Sequence, residues 1–170
     1  MCIGLHAAAE DDIFRYHENF RFLLNHSETL ARVSEDLNAL TPELDDQIEI
    51  FAATELRGSV DLLYTTMSLL LRQHATLVDI FAETRYFKSS HIEPSIEILV
   101  KQSGSTRKLC EKYLRQVDEN GLFNQLMTVR AVARDIQSRL GSDGSPLDVS
   151  GEEARQADKR DPANGLKRAD

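Results

Sequence analysis

Histidines and carboxylates are the residues of this 170-residue chain that could hold a metal ion. A helix offers two histidines to one metal when they stand four residues apart, because that spacing places them on one face. No two of the five histidines have that spacing; they are His6, His17, His26, His74 and His91. Helical diiron sites also require carboxylates at matching positions on facing helices, which the sequence does not supply. We therefore expect neither a metal nor a cofactor.

An acidic cluster follows Pro42, and its members are Glu43, Asp45, Asp46 and Glu49. Carboxylates are favourable at the positive end of the helix dipole. Thr41 is a residue type that caps helices, and Pro42 suits the first helical position. The cluster therefore indicates the solvated start of a helix capped by Thr41, and not a metal site.

Two residues with reactive side chains fall at predicted core positions. His74 lies between Leu70 and Leu77, which favours a histidine that fixes helix register; a pH-sensitive core group is the alternative. Cys110 lies on an apolar stripe, where a thiol is usually unreactive packing. The only other cysteine is Cys2, and two cysteines make neither a disulfide framework nor a four-ligand metal site.

An arginine and a histidine with five residues between them suggest a different chemistry. From Arg85 to His91 the chain reads RYFKSSH. This segment resembles the Arg…His motif of HEPN-type ribonucleases, which are small helical-bundle proteins that cleave RNA at a dimer cleft. The resemblance covers these seven residues and departs from that family at Tyr86, where a small polar residue is usual. It implies that Arg85 stabilises the scissile phosphate and that His91 acts as general acid or base.

Basic residues are separated from the acidic cluster along the chain. Four lie on one side of the predicted third helix and two on the fourth; they are Lys101, Lys108, Lys112, Arg115, Arg130 and Arg134. Such charges can select an acidic partner, an anionic lipid surface or a second copy of the chain. They can also simply keep a water-facing side soluble. The formal net charge of −8 argues against general nucleic-acid binding.

Glycine and proline positions define the predicted elements. Between residues 9 and 140 the breakers are Pro42, Gly58, Pro94, Gly104 and Gly121, and six more crowd into the last thirty residues. This spacing predicts four helices, over 10–40, 42–87 with a kink near 58, 94–120 with a bend near 104, and 121–140. Residues 1–9 are expected to form a flexible N-terminus. Residues 141–170 are expected to form a disordered tail, because their polar composition cannot offset the chain entropy.

Two apolar stripes follow helical three–four steps in the second and fourth predicted helices. They comprise Val60, Leu63, Met67, Leu70, Leu77 and Phe81, and then Leu122, Leu126, Val129 and Ile136. Leu62, Tyr64, Leu69 and Leu71 lie beside the first stripe, so the segment from Val60 to Leu71 is predicted to be the central, most buried element. Leu44, Ile48 and Phe51 fall on a different phase, which we attribute to the kink near Gly58.

These patterns predict an all-α, up-and-down bundle of about four long helices with coiled-coil-like heptad stripes. The first two helices are longer than the others, and a longer helix projects a seam that another chain can fill. No run of about 18 apolar residues occurs, so no transmembrane segment is expected. The first residues also lack the basic region of a signal peptide, which favours a cytoplasmic protein.

We therefore predict a non-enzymatic helical protein–protein interaction or scaffold subunit of an intracellular assembly. Its partner is a helical protein or a second copy, the two apolar stripes contact that partner, and the six basic residues select it by charge. Two alternatives remain open: a HEPN-like ribonuclease that uses Arg85 and His91, and a module that binds anionic membranes through the basic face of the third helix.

Overall fold

The structure is a computed structural model, which describes the backbone of residues 3–86 and 89–141 and the side chains of residues 20–86 and 90–141. Within these ranges the chain is all-helical and contains no strand, which confirms the predicted fold class. The helices are α1 (Ile3–Leu40), α2 (Gln47–Thr84), α3 (Glu93–Leu114) and α4 (Gly121–Leu140). The predicted disordered tail lies outside the described residues except for Gly141, and so do Met1 and Cys2.

The N-terminal boundaries of the first two helices differ from the predictions. α1 begins at Ile3 and not near residue 10. Thr41 does not cap the second helix, because its hydroxyl donates to the Leu37 carbonyl and Thr41–Glu43 form a 3-10 turn. Asp46 is the cap instead: its carboxylate accepts hydrogen bonds from the backbone N–H of Ile48 and Glu49 at 2.7 and 3.2 Å. α2 therefore begins at Gln47 and not at residue 42.

The ends of α2 and α3 come earlier than predicted. α2 stops at Thr84 because Arg85 adopts a left-handed conformation with φ 56°, and its N–H closes the last turn on the Phe81 carbonyl. α3 stops at Leu114 and not at residue 120. Both helices run without interruption through their internal glycines, Gly58 and Gly104. A kink or bend at either glycine therefore stays a prediction, but neither glycine breaks its helix.

Polar contacts between distant residues show how the helices run past one another. His26 and Asp36 of α1 meet Asp135 and Gln125 of α4, respectively, so these two helices are antiparallel. Glu111 of α3 contacts Arg134 of α4. If residue 104 carried a Cβ atom, that atom would lie 2.8 Å from Gln137 Nε2 of α4. α3 and α4 therefore approach closely where α3 carries its small residues. The short connections at residues 41–46 and 115–120 join consecutive helices of this helical bundle.

The core lies along one face of each helix, as the apolar stripes predicted. In α1 it includes Phe20, Leu23, Leu30 and Leu37, all of them buried. The polar residues that share the core are accommodated locally; Ser103, for example, donates its hydroxyl to the Leu99 carbonyl at 2.8 Å. Burial of these apolar faces is the main stabilising contribution to the bundle.

The helices differ in length. α1 and α2 have 38 residues each, while α3 has 22 and α4 has 20. At 1.5 Å per residue the first two are about 57 Å long and the last two about 30 Å. Because His26 lies opposite Asp135, α4 ends level with the middle of α1, and the N-terminal half of α1 continues beyond it.

Removal of the α2 cap should destabilise the protein. In Asp46→Ala, two backbone N–H groups lose their acceptor, and we expect the free energy of unfolding to fall by about 1 kcal/mol. Urea denaturation should show a lower midpoint with an unchanged slope. Asp45→Ala is the matched control, since Asp45 is exposed and caps nothing; equal losses in the two variants would contradict the assignment of the cap.

Candidate functional site

The residues predicted to bind a partner lie in the chain's own core. All ten are buried, namely Val60, Leu63, Met67, Leu70, Leu77, Phe81, Leu122, Leu126, Val129 and Ile136. The two stripes are therefore covered by neighbouring helices of the same chain. A partner that meets the folded bundle would contact other residues.

A second apolar stripe lies on α2, outside the core. It consists of Ile48, Phe51, Leu62, Leu69 and Ile80, and we call it the outer stripe. Each of these side chains is between 42 and 56% exposed. At about 100° per residue they fall within an arc of about 60°, and this arc is centred about 120° away from the buried face of α2. Single exposed apolar residues are ordinary, but a row of five along one side of one helix is a candidate contact surface.

The outer stripe runs beside the junction of α2 with α3. Glu55 lies in the same arc and makes a hydrogen bond with Tyr113 of α3; burial and this bond together raise the pKa of Tyr113. Ile98 of α3 is also half exposed. It lies about four helical turns before Tyr113, so in an antiparallel pair it is level with Leu69. Ile98 is therefore an exposed apolar residue of α3 at the height of the middle of the outer stripe.

The residues of this surface are recognisable in the sequence, but their pattern has two interpretations. A kink at Gly58 would explain the different phase of Ile48 and Phe51, whereas in the structure they and Leu62 occupy one continuous face of the helix. Leu62 and Leu69 were expected to be buried, and both are half exposed. An apolar second face on one helix indicates either deeper burial or an outer contact surface, and only the positions of the neighbouring helices decide between the two.

The predicted charge-selecting residues do not form a single surface of unpaired charge. Lys101, Lys108 and Lys112 are exposed on α3, and Arg115 is exposed immediately after its end. None of the three lysines makes an ion pair with another residue in the described part of the chain, and Lys112 lies over the Tyr113 ring at 4.8 Å. The two arginines of α4 are engaged elsewhere: Arg134 pairs with Glu111 at 3.3 Å, and Arg130 contacts the Met127 sulfur at 3.2 Å.

Arg85 and His91, the residues of the ribonuclease hypothesis, flank the connection between α2 and α3. Both side chains are exposed. Arg85 has a structural role as the left-handed cap of α2, with its guanidinium 5.8 Å from the centre of the Phe81 ring. His91 closes a 3-10 turn. Phe87 and Lys88 between them lie outside the described residues, and a catalytic role for the pair stays a prediction.

Cys110 and His74, the other residues with reactive side chains, are part of the packed core. Burial raises the pKa of Cys110 to about 12, so its thiol stays protonated and unreactive at neutral pH. His74 is buried and packs edge-on against Phe20, with 4.8 Å between the ring centres. In the part of the chain that the structure describes, no three or more histidine, cysteine or acidic side chains are placed to hold a metal ion.

A polar cluster joins α1 to α4 near the end of the bundle. The Asp135 carboxylate accepts from His26 Nε2 at 2.6 Å through one oxygen and from Arg139 Nε at 2.9 Å through the other. Arg139 and His26 also contact Phe22, the former with its guanidinium 4.8 Å from the ring centre. Partial burial raises the pKa of Asp135, but the hydrogen bonds from His26 and Arg139 outweigh it, so the pKa is lowered overall.

The contribution of Asp135 to stability should disappear in acid. Its pKa is lower in the folded chain than in the unfolded one, so the stabilisation is present above about pH 4 and is lost as the pH falls through the folded pKa. Urea midpoints of wild type and Asp135→Asn, measured from pH 7 down to pH 3, should differ at pH 7 and converge in acid. A difference that stays constant over this range would contradict the assignment.

Alanine substitutions at two neighbouring leucines of α2 should distinguish a core position from a position on the outer stripe by their effect on stability. Leu70 is fully buried and Leu69 is 50% exposed. Leu70→Ala should reduce the free energy of unfolding by about 3 kcal/mol, because it leaves a cavity. Leu69→Ala should cost less than about 1 kcal/mol. Urea denaturation at low protein concentration measures both, and equal costs would mean that the outer stripe is part of the core.

Two further findings bear on the site. Among the described residues, no helix combines the length and the apolar character needed to cross a membrane. No protein-family model, curated protein or solved structure matches the chain.

Proposed function

We propose that this chain is a non-enzymatic helical interaction subunit, which binds a partner helix along the outer stripe of α2 within a cytoplasmic assembly. The observation that carries the proposal is the alignment of five large, half-exposed apolar side chains on one side of one helix. Their burial by a partner is favourable at about 25 cal/mol per Å² of apolar surface removed from water. Apolar side chains on one side of a helix are the pattern by which one helix docks against another.

The dimensions of the outer stripe fit a helical partner. From Ile48 to Ile80 it extends about 48 Å along α2, which a helix of about 30 residues would match. The intervals between its members are three, eleven, seven and eleven residues, which keep all five on one side of α2, where a facing helix can contact them. Gly58 lies on the same side of α2, and no atom of the described residues lies within 4 Å of an added Cβ, so a partner backbone can approach closely there.

The long first helix supports an interaction role as well. α1 and α2 exceed the length of α3 and α4 by more than fifteen residues. At one end of the bundle, α1 and α2 extend beyond α3 and α4, so part of the surface of the two long helices is not reached by the short ones. This arrangement suits a subunit that continues into a larger helical assembly.

A second candidate function is contact with an anionic membrane surface through α3. The observation that favours it is the row of Lys101, Lys108 and Lys112, which are exposed and make no ion pair within the described residues. Lysines near an anionic bilayer contribute about 1 kcal/mol each, and the attraction is screened by salt. Binding to vesicles that contain phosphatidylserine, lost at high salt and in Lys101→Glu/Lys108→Glu, would favour this function over the first.

Charged residues on the outer stripe should abolish partner binding without unfolding the protein. We expect Leu62→Glu/Leu69→Glu to retain its helical circular dichroism, since both side chains are half exposed. A tagged wild-type chain recovered from its native host should bring down a stoichiometric partner or second copy, and the double variant should not, because two carboxylates would have to be desolvated in the contact.

Asn124→Glu/Ala131→Glu is the matched control. These positions are also seven residues apart and exposed, but they lie on α4, away from the outer stripe. The control should retain the partner. If the Leu62→Glu/Leu69→Glu variant retains the same partner in the same amount, the outer stripe is not the contact surface and the proposal fails.

A further inference from the structure

We infer that the occupant of the outer stripe is a second copy of this chain, whose α2 packs antiparallel against the first about a two-fold axis between Thr65 and Thr66. This inference rests on the proposed function and names the partner. It is supported by the positions of the apolar residues along α2, by the sizes of the residues between them, and by the charges on one flank of the stripe.

The apolar residues of the outer stripe are self-complementary in one antiparallel register. When Leu62 lies opposite Leu69 of the second copy, the two-fold axis places Leu69 opposite Leu62. The same register places Phe51 opposite Ile80 of the second copy. Four of the five members of the stripe therefore meet an apolar residue, and each such contact occurs twice.

Small residues fall where this register needs close approach. Thr65 and Thr66 lie at the axis, where each α2 meets its own copy. Gly58 is level with position 73 of the second copy, and because it has no side chain the two helices can approach closely there. Among the described residues, no atom lies within 4 Å of a Cβ added at Gly58, which leaves this space to the facing helix.

Two opposite charges flank the outer stripe on the same side. Asp61 and Arg72 lie within about 20° of each other around α2, both are exposed, and neither makes an ion pair with another described residue. In the antiparallel register, Asp61 is offset from Arg72 of the second copy by two residues, or about 3 Å along the axis. An arginine side chain spans that offset, so the two-fold axis creates two Asp61–Arg72 ion pairs between the copies.

The parallel arrangement does not form these ion pairs. In a parallel pair with matched register the two-fold axis runs along the helices, so the flank with Asp61 and Arg72 in one copy and the same flank in the other lie on opposite sides of the contact. The two charges therefore favour the antiparallel orientation, in which both flanks lie on the same side.

A charge exchange tests the inference. Analytical ultracentrifugation over a range of concentrations should show wild-type chain dissociating from a species of twice 19.2 kDa to one of 19.2 kDa. Asp61→Arg and Arg72→Asp each replace two attractive contacts with two repulsive ones, so each should raise the dimer dissociation constant at least about tenfold. The double variant Asp61→Arg/Arg72→Asp restores both pairs and should return the constant to within about threefold of wild type.

Controls separate loss of pairing from loss of folding. All the variants should keep the wild-type helical circular dichroism and melting behaviour at concentrations where they are monomeric. Leu62→Glu/Leu69→Glu should be monomeric, and Asn124→Glu/Ala131→Glu should dimerise like wild type.

Two outcomes would overturn the inference. If both single exchanges leave a wild-type dimer unchanged, or if the double exchange does not restore it, the antiparallel register is wrong. If the wild-type chain is monomeric at every concentration, the second copy is not the occupant. In that case the proposed function has a separate test: it is supported if wild type binds a different protein that Leu62→Glu/Leu69→Glu does not bind, and contradicted if both bind it equally.

Discussion

A helix in a four-helix bundle buries only part of its circumference, and this limit governs the structure. α2 packs one face against its neighbours, with Val60, Leu63, Met67 and Leu70 fully buried. That face is complete without Leu62 and Leu69, which lie to one side of it and stay half exposed. The same helix therefore supplies both the centre of the core and the apolar surface outside it.

Much of the fold could be predicted from local sequence. The three–four spacing of apolar residues identified the buried face of each helix, and Gly121 marked the start of the last helix. The residues at which helices begin and end were harder to predict, because several nearby residues can serve as the cap. Thr41 and Asp46 are both good caps, and the choice of Asp46 follows from Thr41 turning back to the end of α1. Arg85 in a left-handed conformation has no sequence signal, since that conformation favours glycine.

The outer stripe could not be predicted from local sequence, for a different reason. Whether Leu62 is core or surface depends on which sides of α2 the other helices occupy, and residues far away along the chain decide that. Three polar contacts between residues far apart in the chain show the resulting register: His26 with Asp135, Asp36 with Gln125, and Asn120 with Glu49. None of these pairs is distinctive in the sequence. The arrangement itself depends mainly on burial of the apolar faces, which involves all four helices together.

The short connections between consecutive helices also determine the order of events during synthesis and assembly. Chains whose native contacts are mostly local fold in microseconds to milliseconds, whereas two dilute proteins at micromolar concentration meet productively on a scale of about a second. The inner faces of the helices are therefore enclosed by their own chain long before any other molecule arrives. A molecule that binds to the outside of α2 would therefore meet a finished bundle, and its binding would be a separate step after folding.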